Sequence, residues 1–229
     1  MSDGAYLMVV SPHPDDCEFG IAGTAARFAK EGKEVVYVIC TNGDKGSDDR
    51  TMTPVKLAAI REKEELAAAK ILGVKETVFL RYPDQELEDC GQFRMDLCRQ
   101  IRRFRPYVVA TTDPHRKYVW HRDHRICGLV TADAVYPYAR NFPAYPQLIK
   151  EGLEPHSVRE MWFWGSDDVN LKLDISDTID LKFQALKCHE TQFNFNQQMR
   201  DRMKDMARMN AKGESFEYGE SFHRVELRP

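Results

Sequence analysis

The chain alternates short, nearly continuous apolar runs with longer stretches in which apolar residues recur every three or four positions. The runs are AYLMVV (Ala5 to Val10), EVVYVICT (from Glu34), TVFLRY (from Thr77) and YVVATT (from Tyr107). These runs read as strands, and the almost continuous EVVYVICT has the mark of a strand buried on both faces. Between them, residues 18–30 carry Phe19, Ala22, Ala26 and Ala29 at helical spacing, and Gly32 marks the stop. A longer helix runs through Lys70 to a stop at Gly73. Residues 89–104 then place Phe93, Leu97, Ile101 and Phe104 on one stripe ahead of Pro106. MWFWG (from Met161) and LKLDIS (from Leu171) read as further strands, with helices over 178–189 and the Met-rich 197–211. Strands separated by helices of this length predict right-handed crossovers and an α/β fold. The expected architecture is a Rossmann-like, mostly parallel sheet flanked by helices. No linker interrupts the pattern, so residues 1–229 are expected to form one domain.

In such sheets ligands gather beyond the carboxyl ends of the strands. Four polar clusters fall at that edge: PHPDD after the first strand, TNGDKG after the second, YPDQ after the third and TDPHRKYVWHRDH after the fourth. Combining the first and last gives His13, Asp16 and His124, two histidines and one carboxylate with open positions, a ligand set suited to catalytic zinc. Fe²⁺, Co²⁺ or Ni²⁺ fits the same donors. Asp15 is then free as a general base, and His121 faces the developing oxyanion. Asp123 can orient a ring nitrogen, as carboxylates behind metal ligands do. Each residue has a blander use. Asp15 or Asp16 fits a helix N-cap, and an isolated histidine is more often a satisfied core or surface residue. What favours chemistry is the coincidence of two clusters on one sheet edge.

Composition narrows the classes. Lys and Arg total 33 against 36 Asp and Glu, a net charge of -3, which argues against nucleic acid as a partner. The most basic segment, RQIRRFR (Arg99 to Arg105), reads as a solvated helix face. No apolar run approaches the roughly 20 residues of a membrane span, and the N-terminus lacks a signal-peptide pattern. The six cysteines contain no CxxC pair, so free thiols in the cytoplasm are expected. Gly20 and Gly23 form no phosphate loop and are read as helix-packing positions. Trp120, Trp162 and Trp164 can stack on sugar rings or fill the core.

PHPDDCEFG followed by HRDHR resembles the signature pair of the LmbE/PIG-L deacetylases, usually HPDD and HPDH. The likeness extends through TNGDKG, IREKEE, LGVKETVFLRYPDQEL, RPYVVATTDPH, DISDTIDLKFQALKCHETQF and YGESFHR. PHPDDC, LGVK and YGESF look closest to the N-acetylglucosamine and diacetylchitobiose deacetylases. The resemblance implies metal ligands at His13, Asp16 and His124, a general base at Asp15, and His121 with its partner Asp123 at the tetrahedral intermediate. It implies sugar-hydroxyl contacts at Arg61 and Asp84, and a mobile tyrosine near the carbonyl at Tyr118. His189 and Gln192 match an HxSQ-like block with Thr191 in place of Ser. Cys17 stands where Glu is common, and Arg122 where Pro is usual. Cys17 can approach the metal or turn into the core.

The expected activity is metal-dependent removal of acetyl from an N-acetylated sugar. Two rivals share the residues: a non-haem Fe(II) enzyme, and a sugar-binding protein without chemistry. A homo-oligomer fits the family, and the stretch Met199 to Met209 serves equally as an interface or a packed helix.

Overall fold

The computed structural model describes residues 4–118 and 120–228. Among these residues seven strands form one sheet in the order β3-β2-β1-β4-β5-β7-β6. They are β1 (Leu7–Ser11), β2 (Val35–Thr41), β3 (Glu76–Tyr82), β4 (Val108–Thr112), β5 (Glu160–Trp164), β6 (Leu171–Asp174) and β7 (Gly219–Glu226). The first five pair parallel, whereas β7 runs antiparallel to both β5 and β6. The chain builds outward from β1 to β3, then returns to add β4 on the other side of β1. The order therefore reverses between β1 and β4, and the loops leaving these two strands border one crevice.

Both faces of the sheet are covered. Along β1 the side chains alternate with the two-residue period of a strand. Met8 and Val10 join a core with Phe93, Leu97 and Ile101 of α4 (Gly91–Phe104) and Cys127 and Val130 of α5 (Arg122–Asp133). Leu7 and Val9 join the opposite core with Ala22, Ala25 and Ala26 of α2 (Ala22–Lys30) and Ala68 and Leu72 of α3 (Pro54–Leu72). α6 (Pro146–Lys150) follows α5, and α7 (Ile179–Leu186) closes the second face. Met203 and Ala207 of α8 (Gln197–Asn210) pack with Ile179, Phe183 and Leu186 of α7, while Met206 and Met209 stay exposed.

The structure departs from the sequence pattern in three places. The helix predicted over 18–30 is two, α1 (Asp16–Gly20) and α2, because Ile21 leaves the helical region at φ -146. The break lets α1 turn its first residues toward the crevice. Second, YGESFHR, to which the pattern assigns no element, supplies most of an inner strand. Third, RQIRRFR is not wholly a solvated face: Arg102 is 2% exposed and donates to the carbonyls of Tyr138, Ala139, Asn141 and Ala144. Its charge is tolerated because these oxygens replace water.

Gly20 has a packing reason to be glycine. A Cβ there would meet the Trp164 ring at 2.7 Å, so α1 sits directly on β5. Trp164 is itself 7% exposed and cannot swing clear into solvent. Gly20→Ala is expected to destabilise the protein by about 1–3 kcal/mol through overpacking. Thermal unfolding reads this, and an unchanged midpoint would show that α1 can move away freely.

Candidate active site

The PHPDD segment leaves β1 into α1, and the HRDHR segment leads from the loop after β4 into α5, so the topological switch brings them together. His13 Nδ1 lies 3.0 Å from Asp16 Oδ2, and His124 Nε2 lies 3.3 Å from the same oxygen. Donors bound about 2.0–2.1 Å from a tetrahedral ion stand roughly 3.3 Å from one another. Both separations from Asp16 Oδ2 are of that size, and ring nitrogens of His13, His121 and His124 lie within 4.8 Å of one another. The other nitrogen of His13, Nε2, is held at 3.1 Å from Asp123 Oδ2 and 3.2 Å from Asp84 Oδ1. This carboxylate backing fixes the ring and leaves the Nδ1 lone pair directed at the site. Asp123 also accepts the backbone N–H groups of Gln85 (2.6 Å) and Leu87 (3.1 Å), which ties the loop after β3 to α5.

His121 is the N-cap of α5, and its Nδ1 accepts the backbone N–H of Asp123 at 3.2 Å. That bond assigns the ring proton to Nε2, so the free nitrogen is a donor. The three imidazoles form a triangle, with His121 4.6 Å from His13 and 5.1 Å from His124 between ring centres. Burial, then the neighbouring imidazoles of His13 and His124, lowers the His121 pKa.

Asp15 occupies the N-cap position of α1, yet its carboxylate makes no capping hydrogen bond. Its backbone sits at φ 100, ψ -29, a left-handed conformation that costs a non-glycine residue about 1–3 kcal/mol. Burial and the charge of Asp16 push its pKa up to about 6, with Arg61 opposing. Asp16 behaves oppositely: burial disfavours its charge, but His124 and His13 outweigh this and hold it well below the usual carboxylate range. Two neighbouring aspartates are thereby given different protonation behaviour, the pattern expected of one ligand and one base.

The residues expected to touch substrate are placed unevenly. Tyr118 is 83% exposed on the loop before α5, and Trp120 beside His121 is 87% exposed. Trp162 and Trp164 are core residues. Asp84 is buried, touching His13 and accepting Lys45 N–H at 3.2 Å. Arg61 is also buried, and its guanidinium donates to the carbonyls of Pro14 (2.5 Å) and Gly43 (3.1 Å), 3.4 Å from Asp15. Arg61 therefore stands behind Asp15 rather than in an open cleft. Asp123 turns its carboxylate to His13, and it serves His121 through its backbone N–H. Cys17 is fully buried among Leu7, Val9 and Ile21.

Sequence reasoning missed one group. Glu18, Glu65 and His189 form a sealed cluster beside Asp15, with ligand-type atoms within 4.8 Å of one another. Glu65 accepts the Asp15 backbone N–H at 3.2 Å, and Glu18 lies 3.2 Å from His189 Nε2. Burial, joined by neighbouring carboxylates, raises the pKa of both glutamates well above normal. The signal available in the sequence was the spacing of Arg61 and Glu65, four apart and so on one helix face.

Fold and cluster together define a doubly wound α/β protein whose chemistry-bearing residues meet at the switch point of its sheet. The family model for PIG-L, GlcNAc-PI de-N-acetylase, matches residues 8–135. The chain belongs to this family. A diacetylchitobiose deacetylase of Thermococcus kodakarensis is 35% identical over 196 residues, covering 84% of this chain and 72% of that one. The structure of an N,N'-diacetylchitobiose deacetylase from Pyrococcus horikoshii superposes with a TM-score of 0.92 at 31% identity, covering 98% of this chain and 85% of that one. A conserved protein of Thermus thermophilus gives 0.81 at 29% identity, covering 98% of each chain. Among the described residues no helix is long and apolar enough to cross a membrane.

Proposed function

We propose that this protein, as one domain over residues 1–229, hydrolyses the acetamide of an N-acetylglucosamine-type sugar, releasing acetate and a free amine. The observation that carries the reading is the approach of His13 Nδ1 and His124 Nε2 to one oxygen of Asp16, with Asp15 next to it in sequence. Relatives described as acting on diacetylchitobiose, on N-acetylglucosaminyl malate and on an inositol-linked acetamido sugar support the substrate class. His13, Asp16 and His124 would hold zinc, or another first-row divalent ion of similar size. When bound, the ion supplies a Lewis acid that polarises the carbonyl and acidifies water. Asp15 accepts the proton of the attacking water. The Nε2–H of neutral His121 donates to the oxygen that gains charge as the carbonyl becomes tetrahedral. The departing amine takes its proton from Asp15, which gained it from the water. Tyr118 and Trp120 flank the approach, where an aromatic face can pack against a sugar ring.

The test is to incubate zinc-loaded protein with N-acetylglucosamine, diacetylchitobiose and glycosides of N-acetylglucosamine, and to measure primary amine and acetate. Release in equal amounts supports the reading. No release from any of them, or oxygen consumption coupled to substrate, overturns it.

A pH dependence follows. Asp15 must be a carboxylate to act as base, and it is protonated below its pKa. kcat/KM is expected to rise with pH through a midpoint between about 4 and about 6, since burial raises the Asp15 pKa and a bound cation favours its carboxylate. A rate that stays flat down to pH near 4 would remove Asp15 from the base role.

A further inference from the structure

We infer that Glu65 is a positioning residue that clamps Asp15 in its left-handed conformation and so aims the base at the site. The inference rests on the proposed hydrolysis, because only there does the direction of Asp15 matter. The backbone of Asp15 stands at φ 100, a region that favours glycine, and no side-chain capping bond holds it there. Two contacts from one face of α3 do. Glu65 Oε2 accepts the Asp15 N–H at 3.2 Å, and Arg61 donates to the carbonyl of the preceding residue, Pro14, at 2.5 Å. The peptide joining Pro14 and Asp15 is thus gripped at both its oxygen and its nitrogen by residues four apart on a 19-residue helix. Arg61 is further braced on Gly43 just beyond the end of β2. Glu65 is fully buried, packed against Glu18 and His189, with its Oε1 lacking a hydrogen-bond partner among the described residues. Burying a carboxylate so incompletely satisfied is costly, and such groups in native proteins call for an explanation. A role in holding an unfavourable backbone conformation beside the reacting atoms supplies one.

The test compares Glu65→Gln with Glu65→Ala and Glu65→Leu. Gln keeps an acceptor for the Asp15 N–H, whereas Ala and Leu do not, and Leu fills the volume if Ala leaves the protein unfolded. For the variants without an acceptor, kcat is expected to fall about 10–100-fold, the range for residues supporting a site from behind. KM and zinc content should stay near the wild type, and Glu65→Gln should recover most of the rate. Equal kcat across the series overturns the clamp. So does a fall shared by Gln and Leu alike, which would mark Glu65 as merely structural.

A second measurement does not need activity. Glycine relieves strain at φ 100, so Asp15→Gly is expected to unfold at least about 2 °C above Asp15→Ala. That gap should shrink when Glu65 is also replaced by Leu. Absence of the gap in the presence of Glu65 sinks the inference whatever the Glu65 variants do. If no acetylated sugar is hydrolysed, the functional reading fails while this comparison still reports on the clamp.

Discussion

Replacing Asp15 by asparagine is expected to lower kcat by on the order of 10²–10⁴-fold while zinc content and KM stay near the wild type. Asparagine tolerates positive φ better than most residues, so the strained backbone survives the exchange. What disappears is the proton acceptor, and no neighbour can replace it. Asp16 is drawn below the normal carboxylate range by both imidazoles and is engaged by His13 and His124. His121 has its Nδ1 occupied by the Asp123 N–H and presents a donor at its other nitrogen. Glu65 is sealed behind Asp15 and faces no substrate. Steady-state kinetics with metal analysis checks the prediction. An Asp15→Asn protein turning over at near wild-type rate would mean that the proton leaves by another route.

His13→Ala should be the more damaging change. It removes one of three proposed cation donors and leaves the buried carboxylates of Asp84 and Asp123 facing each other without the imidazole between them. Burial opposes ionisation of both, and the His13 ring beside them is the main influence holding each low. Stripping one partner from a buried charged group costs on the order of 3–5 kcal/mol. Expected together are zinc below stoichiometric detection, turnover at background and a lower unfolding midpoint. Chelator-treated wild type, by contrast, should lose turnover and regain it when zinc is restored. Full zinc occupancy in His13→Ala would exclude His13 as a donor.

Much of this was legible in the order of residues. The apolar runs of β1, β2 and β4 need no alternation because both faces of these strands are covered, whereas β3 at the sheet edge is only half-buried. Placing PHPDD and HRDHR on one edge needed only the rule that parallel strands share a direction. Other features depend on contacts that sequence does not encode locally. Glu65 lies in REKEE, where every residue looks solvated, and its burial follows from where α3 docks rather than from its neighbours. Arg102 is similar: four carbonyls from a distant segment make its burial tolerable. The position of β7 between β5 and β6 is a choice among edges made by long-range pairing.

That last strand bears on how the molecule is completed. β6 pairs only with β7 among the described strands, and β5 has β7 as its second neighbour. Glu220 in the same strand accepts the N–H groups of Gly23 and Thr24 and pairs with Lys182, joining the C-terminal segment to the start of α2. A ribosome making this chain must therefore release the residues through Glu226 before the sheet can close. Until residue 219 emerges, one flank of β5 presents unsatisfied backbone to water or to a chaperone.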